Sequence, residues 1–251
     1  MGLLRLIRRA VRLTGFDIVR YAPRRKPPDQ FSAYRTLGIA SRVIVDVGAN
    51  HGITVDRYLE EYGDARVIAV EPLPHLAQEL SRRYSTRDNV VVINSAIDET
   101  CGARALHNTV IDGNSSFFEV SAQQRSCLRH DESTRVIADL EVPTTTLDRL
   151  AEDCQLEQID ILKLDIQGAE LLALRGAAAL LSERRVRAVF CEVLFAPIYE
   201  GQCQFREVAE LFDSYGYWIY DLFDSNRQLD GSITHCNALF CSPDVSRGTW
   251  E

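Results

Sequence analysis

The sequence predicts an α/β fold, built on one mostly parallel β-sheet with helices on both faces. From residue 42 onward, short runs of β-branched residues alternate with segments in which apolar residues recur every three or four positions. This alternation is typical of parallel strands joined by crossover helices. The strand segments are apolar almost throughout, as expected for strands covered on both faces. A chain of 251 residues, 46% of them hydrophobic, can bury one large core, which favours a single main domain.

Seven strands and five helices are predicted from these patterns. The strands are residues 43–47, 66–70, 90–93, 161–165, 186–191, 217–220 and 238–241. The helices between them are residues 54–62, 76–84, 147–153, 169–181 and 205–215. A long stretch rich in Ser, Asn and Gly, residues 98–141, interrupts the alternation. Insertions of this length often carry specificity, so we expect hairpins or a lid over the carboxyl ends of the strands.

The first 26 residues are strongly basic, since they hold eight Arg or Lys residues and a single acid. On a helix, residues 3–13 would place four arginines in one arc, opposite apolar side chains. Prolines between residues 23 and 28 predict a linker, so residues 1–41 are predicted to be a basic amphipathic helix and linker, and residues 42–251 the main domain. The basic helix predicts peripheral membrane contact through residues 1–26; packing on the main domain or in an oligomer contact is the alternative.

Composition excludes several classes of function. Beyond residue 26 the chain holds 20 basic and 35 acidic side chains. This acidic balance disfavours nucleic-acid binding, because the phosphates of a nucleic acid require a basic face on the protein. No segment approaches the roughly 20 apolar residues of a membrane span. The seven cysteines include no C-x-x-C pair, so neither a disulfide framework nor a zinc site is expected. We therefore expect a cytoplasmic protein, with the inner face of the membrane as the alternative location.

The most informative segment is the first predicted strand, which runs directly into a glycine turn at Gly48 and Gly52. Glycines let a backbone approach a ligand closely, and open α/β sheets bind ligands at the carboxyl ends of their strands. The G-x-x-x-G spacing differs from the G-x-G-x-x-G pattern of diphosphate-binding loops, so a cofactor without a diphosphate is favoured over a dinucleotide. An ordinary tight turn between strand and helix is the structural alternative for this motif taken alone.

The second predicted strand runs into Glu71 and Pro72, one strand-helix unit after the glycine turn. A carboxylate at this position is placed to accept hydrogen bonds from both hydroxyls of a cofactor ribose. A nicotinamide-dependent oxidoreductase would share this acid, so the glycine spacing is what separates the two interpretations.

Five motifs, in order along the chain, resemble those of the FkbM family of methyltransferases. They are Asp46-Val47-Gly48-Ala49-Asn50-x-Gly52, Glu71-Pro72, Asn94-x-Ala96, Thr146-Leu147-Asp148 and Lys163-x-Asp165-x-x-Gly168-x-Glu170. The resemblance extends over about residues 43–220. It implies a Rossmann-like class I methyltransferase fold with a seven-stranded sheet in the order 3-2-1-4-5-7-6, and S-adenosylmethionine as cofactor. It also implies O-methylation of a hydroxyl on a sugar, a glycolipid or a polyketide-type natural product.

The same resemblance implies a cofactor site. Asp46 and the backbone around Gly48 would hold the methionine part, and Glu71 the ribose, while Ser95 and Ala96 would border the adenine. The complete implied set is Asp46, Gly48, Ala49, Asn50, Gly52, Glu71, Pro72, Ser95, Ala96 and Asp165. His51, at the variable position of the glycine turn, is interpreted either as a loop side chain beside the cofactor or as a group that titrates near neutral pH.

Asp165 and Glu192 are the main catalytic candidates, because they end or nearly end two central strands that should be neighbours. An aliphatic hydroxyl needs a base that removes its proton as the new bond forms, and either carboxylate could supply it. Alternatively, the two could hold a divalent cation, Mg²⁺ or Mn²⁺, that acidifies the hydroxyl. Glu170 is a third catalytic candidate; its alternative role is to stabilise the first turn of a helix through the helix dipole.

The leading interpretation is therefore an enzyme that transfers a methyl group from S-adenosylmethionine to a hydroxyl of a small molecule. One alternative is a nicotinamide-dependent oxidoreductase, which predicts a diphosphate-binding glycine pattern. Another is a non-catalytic cofactor-binding partner subunit, in which Asp165 and Glu192 would be dispensable. The remaining histidines receive less weight as site residues; they are His75, His107, His130 and His235.

Overall fold

The computed structural model describes residues 29–127, 132–228 and 230–246. The predicted amphipathic helix at residues 3–13, the membrane contact through residues 1–26, and His130 lie outside these residues. Within the described part of the chain, no helix has both the length and the apolar character that crossing a membrane requires.

The described chain forms strands and helices in alternation, numbered in chain order. The strands are β1 (Val43–Val47), β2 (Arg66–Val70), β3 (Val90–Ile93), β4 (Ala96–Ile97), β5 (Gly102–Thr109), β6 (Val136–Thr145), β7 (Ile159–Leu164), β8 (Val186–Leu194), β9 (Trp218–Arg227) and β10 (Ile233–Cys241). The helices are α1 (Gln30–Thr36), α2 (Ile53–Glu61), α3 (Pro74–Arg83), α4 (Ala122–Cys127), α5 (Leu147–Asp153), α6 (Glu170–Arg175), α7 (Ala178–Ser182) and α8 (Phe205–Ser214). A 3₁₀ turn, Asp112–Asn114, lies between β5 and β6.

Seven strands form the central sheet, in the order β3-β2-β1-β7-β8-β10-β9. Counted within this sheet alone, the order is 3-2-1-4-5-7-6. Neighbouring strands are parallel from β3 to β8, whereas β10 is antiparallel to both β8 and β9. The mostly parallel sheet that the sequence predicts is confirmed, and the carboxyl ends of β1, β2 and β7 meet at one edge.

Helices cover both faces of the sheet, because alternate side chains of each strand point to opposite sides. Val45 and Leu162 belong to the core that packs against α5, α6, α7 and α8. Ile44 and Ile161 belong to the core on the other face, which packs against α1, α2 and α3. All four are fully buried, as strands covered on both faces require.

The sequence predicts a linker up to residue 41, but residues 30–36 form helix α1. Asp29 caps this helix by accepting a hydrogen bond from the Ser32 backbone N–H at 2.8 Å, as aspartates at helix N-termini commonly do. Phe31 and Tyr34 are buried in the core beneath the helix. The main domain therefore starts at or before Asp29, because two large aromatic side chains of this segment complete its core.

Several elements end at other positions than the sequence predicts. The predicted helix at 169–181 is divided into α6 and α7 at Gly176, where a Cβ atom would lie 2.4 Å from the Asp98 carbonyl oxygen. Strand β8 continues to Leu194, and β9 and β10 are longer than their apolar segments. Strand β8 extends because it pairs with β10 up to Leu194. The extensions of β9 and β10 pair along mostly polar stretches that carry little hydrophobic signal.

The insertion contains the hairpin that the sequence predicts. Strands β5 and β6 pair in antiparallel fashion, and β4 joins β6 to complete a three-stranded sheet. This sheet packs through Leu106, Leu140 and Val142 onto Leu73 and Leu76 at the start of α3. The contact holds the insertion beside the carboxyl end of β2.

Candidate active site

The glycine turn after β1 is shaped by a close approach to the end of β7. Gly48 has a φ of 78°, in the left-handed region, and its N–H donates to the Val70 carbonyl oxygen at 3.0 Å. A Cβ atom on Gly48 would lie 2.1 Å from the backbone oxygen of Asp165. Only glycine fits here, so the turn brings its backbone directly beside the Asp165 segment.

Gly48→Ala is expected to destabilise the fold by at least about 3 kcal/mol, because the positive φ and the clash with Asp165 add together. Gly38→Ala is the matched control, since Gly38 also has a positive φ of 65° but no described atom lies within 4 Å of its added Cβ. That variant should lose only about 1–2 kcal/mol. Denaturant unfolding measures both losses, and equal values would show that the approach to Asp165 does not constrain the turn.

The carboxylate of Glu71 is held by two backbone N–H groups, one on each oxygen. Oε2 accepts from Asn50 at 2.8 Å, and Oε1 accepts from Leu73 at 2.9 Å. Asn94 supports the same turn, because its side-chain amide donates to the carbonyl oxygens of Glu71 and Pro72. Burial raises the pKa of Glu71, and the two backbone hydrogen bonds oppose that rise by stabilising the charged form. The glycine turn and the end of β2 are thus joined.

A cleft of about 660 Å³, a volume that includes space open to solvent, lies at this edge of the sheet. Of the residues that the sequence assigns to the cofactor, those lining the cleft are Gly48, Asn50, Glu71, Pro72, Ser95, Ala96 and Asp165. They come from the segments that follow β1, β2, β3 and β7. The parallel sheet brings these segments together because the carboxyl ends of its parallel strands share one edge.

Asp46 does not line the cleft, because its side chain is buried beneath the glycine turn. It is fully shielded from solvent, and Lys163 Nζ lies 3.0 Å from its Oδ1. Lys163 Nζ also lies 3.6 Å from Asp165 Oδ2 and 3.4 Å from the Gly48 carbonyl oxygen. Burial raises the pKa of Asp46, and the Lys163 ammonium opposes that rise. The ion pair therefore connects the glycine turn to the Asp165 segment from inside the domain.

Ala49, Gly52 and His51 are likewise absent from the lining of the cleft. Ala49 is buried in the core beneath α2 and α3. Gly52 precedes α2 with a φ of 76°, and a Cβ atom there would lie 2.7 Å from the Tyr84 hydroxyl oxygen. His51 is exposed, with its Nδ1 3.7 Å from Glu79 Oε2. The small size of Ala49 and Gly52 therefore allows the turn to pack against the core and to join α2.

Asp165 and Glu192 lie near each other and are bridged by the side chain of Gln167. The Gln167 amide nitrogen donates to Asp165 Oδ1 at 3.0 Å and to Glu192 Oε2 at 3.2 Å. The Tyr199 hydroxyl donates to the Gln167 amide oxygen at 2.7 Å, which fixes the orientation of the amide. The sequence predicts that the strands carrying the two acids are neighbours. It does not predict the contacts of Gln167 and Tyr199, because these contacts join separate loops.

The sequence predicts Glu192 at or near the end of its strand. In the structure β8 continues two residues beyond it, so Glu192 lies within the strand. It lies opposite Asn237 of β10 and is not among the residues that line the cleft. Burial raises the pKa of Glu192 well above its ordinary value, and the charges of Asp165 and Glu170 raise it further, whereas Lys163 lowers it. Glu192 therefore favours its protonated form, which suits a hydrogen-bonding partner better than a base.

Glu170 is the first residue of α6, and its side chain is buried against the loop that precedes this helix. Its Oε1 accepts from the backbone N–H groups of Ile166 at 3.0 Å and Gly168 at 3.4 Å. Burial raises the pKa of Glu170 to about 7, and these N–H groups oppose the rise. The side chain supports the loop that carries Asp165 and does not line the cleft. This position favours a structural role over the catalytic role that the sequence leaves open.

The described residues do not fit a divalent cation between Asp165 and Glu192. Within the described ranges, no group of three or more His, Cys, Asp or Glu side chains is placed to hold a metal ion. The Gln167 amide nitrogen donates to both carboxylates, and an N–H donor is not an oxygen ligand of the kind that Mg²⁺ or Mn²⁺ prefers. The two carboxylates are therefore arranged around a hydrogen-bond donor.

One wall of the cleft comes from the insertion, whose individual residues the sequence does not assign to the site. The insertion residues that line the cleft are Leu106, Asp112, Gly113, Ser115 and Phe117. His75 Nε2 lies 3.1 Å from Asp112 Oδ2, so a histidine given little weight from the sequence contacts this wall. The available signal is the Asp-Gly-Asn-Ser sequence at 112–115, whose composition favours a tight turn.

This chain resembles known methyltransferases in sequence. The 2-O-methyltransferase NoeI of Sinorhizobium fredii (strain NBRC 101917 / NGR234) is 27% identical over 198 residues, which cover 76% of this chain and 81% of NoeI. The methyltransferase sdnD of Sordaria araneosa is 30% identical over 153 residues, which cover 53% of this chain and 59% of sdnD.

Two solved structures with a bound S-adenosyl ligand are similar to this chain at low identity. One is the 1,6-didemethyltoxoflavin-N1-methyltransferase of Burkholderia thailandensis with bound S-adenosylhomocysteine. Its TM-score is 0.44 at 14% identity, and the match covers 84% of this chain and 75% of the methyltransferase chain. The other is fibrillarin of Aeropyrum pernix with bound S-adenosyl-L-methionine. Its TM-score is 0.42 at 13% identity, and the match covers 80% of this chain and 66% of the fibrillarin chain. The family model of the methyltransferase FkbM domain matches residues 46–219. Because that match runs from the glycine turn through Glu71 and Asp165 into β9, this chain belongs to the FkbM family of methyltransferases.

Proposed function

We propose that this methyltransferase transfers the methyl group of S-adenosylmethionine to a hydroxyl oxygen of a small molecule of the sugar or glycolipid class. The observation that carries the proposal is the cleft, in which the glycine turn and the Glu71 carboxylate share one continuous lining with Asp165. The relative NoeI is a 2-O-methyltransferase, which supports oxygen as the accepting atom.

The residues of the cleft fit this cofactor. Each carboxylate oxygen of Glu71 accepts one backbone hydrogen bond and can accept another, for which a ribose hydroxyl is a suitable donor. Leu73, Ala96 and Phe117 offer an apolar surface for adenine. Asn50 Oδ1 is buried and accepts no hydrogen bond from the described residues, so a ligand donor would satisfy it.

When bound, the cofactor supplies an electrophilic methyl group, and the chain must receive the proton of the acceptor hydroxyl. We assign this role to Asp165, because its side chain lines the cleft and is 43% exposed. Lys163 and Gln167 contact the two oxygens of this carboxylate, so it is oriented before the acceptor arrives. The proton passes to Asp165 as the hydroxyl oxygen forms its new bond.

The polar groups on the strands beside Asp165 support an acceptor with several hydroxyls. Glu192 and Asn237 are opposite each other on β8 and β10, and His235 lies on the same face of the sheet, two residues before Asn237. Burial lowers the pKa of His235, although Asp165 opposes this, so the neutral imidazole with one donor and one acceptor is favoured. A sugar offers hydroxyl donors and acceptors to match such a surface.

S-adenosylhomocysteine is expected to bind the wild-type protein in the micromolar range common for enzyme ligands, and NAD is expected not to bind. Glu71→Ala should weaken that binding by about 1.5–3 kcal/mol, because hydrogen bonds from ribose to a partly buried carboxylate are charge-assisted. Isothermal titration calorimetry measures both ligands against both proteins.

Glu79→Ala is the control for this measurement, because Glu79 is an exposed carboxylate on α3 that does not line the cleft. Its affinity for S-adenosylhomocysteine should equal that of the wild type. Unchanged affinity in Glu71→Ala would remove Glu71 from the site. Tight binding of NAD in place of S-adenosylhomocysteine would instead support the oxidoreductase alternative.

A further inference from the structure

A second carboxylate, that of Asp112, faces the cleft close to Glu71. Asp112 begins the 3₁₀ turn of the insertion and lines the same cavity as Glu71. Its side chain is 23% exposed, and after burial its charge is among the causes that raise the pKa of Glu71. Two like charges in one partly buried cavity repel each other, and a hydrogen-bond donor that contacts both would reduce that repulsion.

The 3₁₀ turn packs against the glycine turn that follows β1. A Cβ atom on Gly113 would lie 2.8 Å from Asn50 Nδ2, so the two turns approach as closely as a glycine allows. The Ser115 backbone N–H donates to the Asp112 carbonyl oxygen at 3.1 Å and closes the turn. Asp112 therefore reaches the cavity from a well-defined piece of backbone.

His75 occupies one oxygen of Asp112 and leaves the other available. His75 Nε2 lies 3.1 Å from Asp112 Oδ2, at the start of α3 and outside the lining of the cleft. Asp112 Oδ1 accepts no hydrogen bond from the described residues. One oxygen is thus held by the protein, and the other can accept from a ligand.

We propose that Asp112 is a second cofactor-binding carboxylate, which accepts a hydrogen bond from a ribose hydroxyl of the cofactor beside Glu71. This inference rests on the proposed function, because it takes the ligand of the cleft to be S-adenosylmethionine. Because each ribose hydroxyl donates one hydrogen bond, Glu71 then accepts from one of the two hydroxyls and Asp112 from the other, in place of Glu71 accepting from both. The two carboxylates also disfavour phosphate-bearing ligands, whose negative charge would add to theirs. The insertion is then part of the cofactor site.

The test compares Asp112→Ala with the wild type, using S-adenosylhomocysteine and its 2′-deoxy and 3′-deoxy ribosyl analogues as calorimetric probes. Asp112→Ala should weaken binding of S-adenosylhomocysteine roughly 10–100-fold. With the analogue that lacks the hydroxyl bound by Asp112, the two proteins should agree within about threefold, because the interaction is already gone. With the other analogue the loss should persist.

Asp139→Ala is the matched control, since Asp139 pairs with His107 Nδ1 at 2.7 Å on the same hairpin but does not line the cleft. It should bind all three probes like the wild type. Unchanged binding in Asp112→Ala, or an equal loss with both analogues, would overturn the inference, because the aspartate would then act elsewhere or only hold the insertion in place. Failure of the wild type to bind S-adenosylhomocysteine would instead overturn the proposed function, and the inference with it.

Discussion

Asp165→Asn is expected to lower the rate of methyl transfer roughly 10²–10⁴-fold, the range of a positioned proton acceptor. The amide keeps the shape of the side chain but cannot take the acceptor proton. Affinity for S-adenosylhomocysteine and the melting temperature should change little, because the carboxylate is 43% exposed and Asp46 remains to pair with Lys163. The measurement is single-turnover transfer from S-adenosylmethionine to a panel of methyl glycosides, with calorimetry on the same variant.

Glu192→Gln is the companion variant for this experiment. Because Glu192 favours its protonated form, a neutral amide should replace it with a smaller loss than that of Asp165→Asn. Equal losses would show that the two acids share the proton, and Asp165 would no longer be the sole base. Near-normal transfer by Asp165→Asn would end the base mechanism and leave proximity of the two substrates as the main catalytic contribution. An inactive wild type would instead favour the non-catalytic alternative.

Lys163→Met is expected to destabilise the fold by about 3–5 kcal/mol, the cost of leaving a buried charge without its partner. Asp46 is fully shielded from solvent, and its close cation is Lys163 at 3.0 Å. Burial disfavours the ammonium, but the charges of Asp46 and Asp165 outweigh that effect and raise the pKa of Lys163. Denaturant unfolding at neutral pH measures the loss.

Two further variants separate this effect from a general loss of packing. The double variant Asp46→Asn with Lys163→Met should recover part of the stability, because no charge is then left unpaired. Arg149→Met breaks an exposed ion pair with Asp153 on α5, 2.8 Å long, and should cost far less than Lys163→Met, because solvent screens exposed charges. A loss in Lys163→Met as small as that of Arg149→Met would contradict a structural role for the buried pair.

Much of the central sheet can be predicted from the sequence, because its parallel strands are covered on both faces and are therefore mostly apolar. For this reason β1, β2 and β3 lie at the predicted residues. The long ends of β9 and β10 could not be predicted, because strand pairing defines them and their residues are polar. Helix α1 was missed for a different reason: the prolines before it indicate a linker, but Phe31 and Tyr34 return to the core.

Short motifs, in which a strand runs into a turn, identify the residues that follow the strands at the cleft, namely Gly48, Glu71 and Asp165. The motifs do not indicate which side chains face a ligand, because that depends on how the segments pack together. The tertiary structure turns Asp46 inward to Lys163, and it brings Asp112 from the insertion to the same cavity as Glu71. A local motif constrains the backbone of its own turn, whereas the exposure of a side chain and the charges around it depend on segments that are distant in the chain.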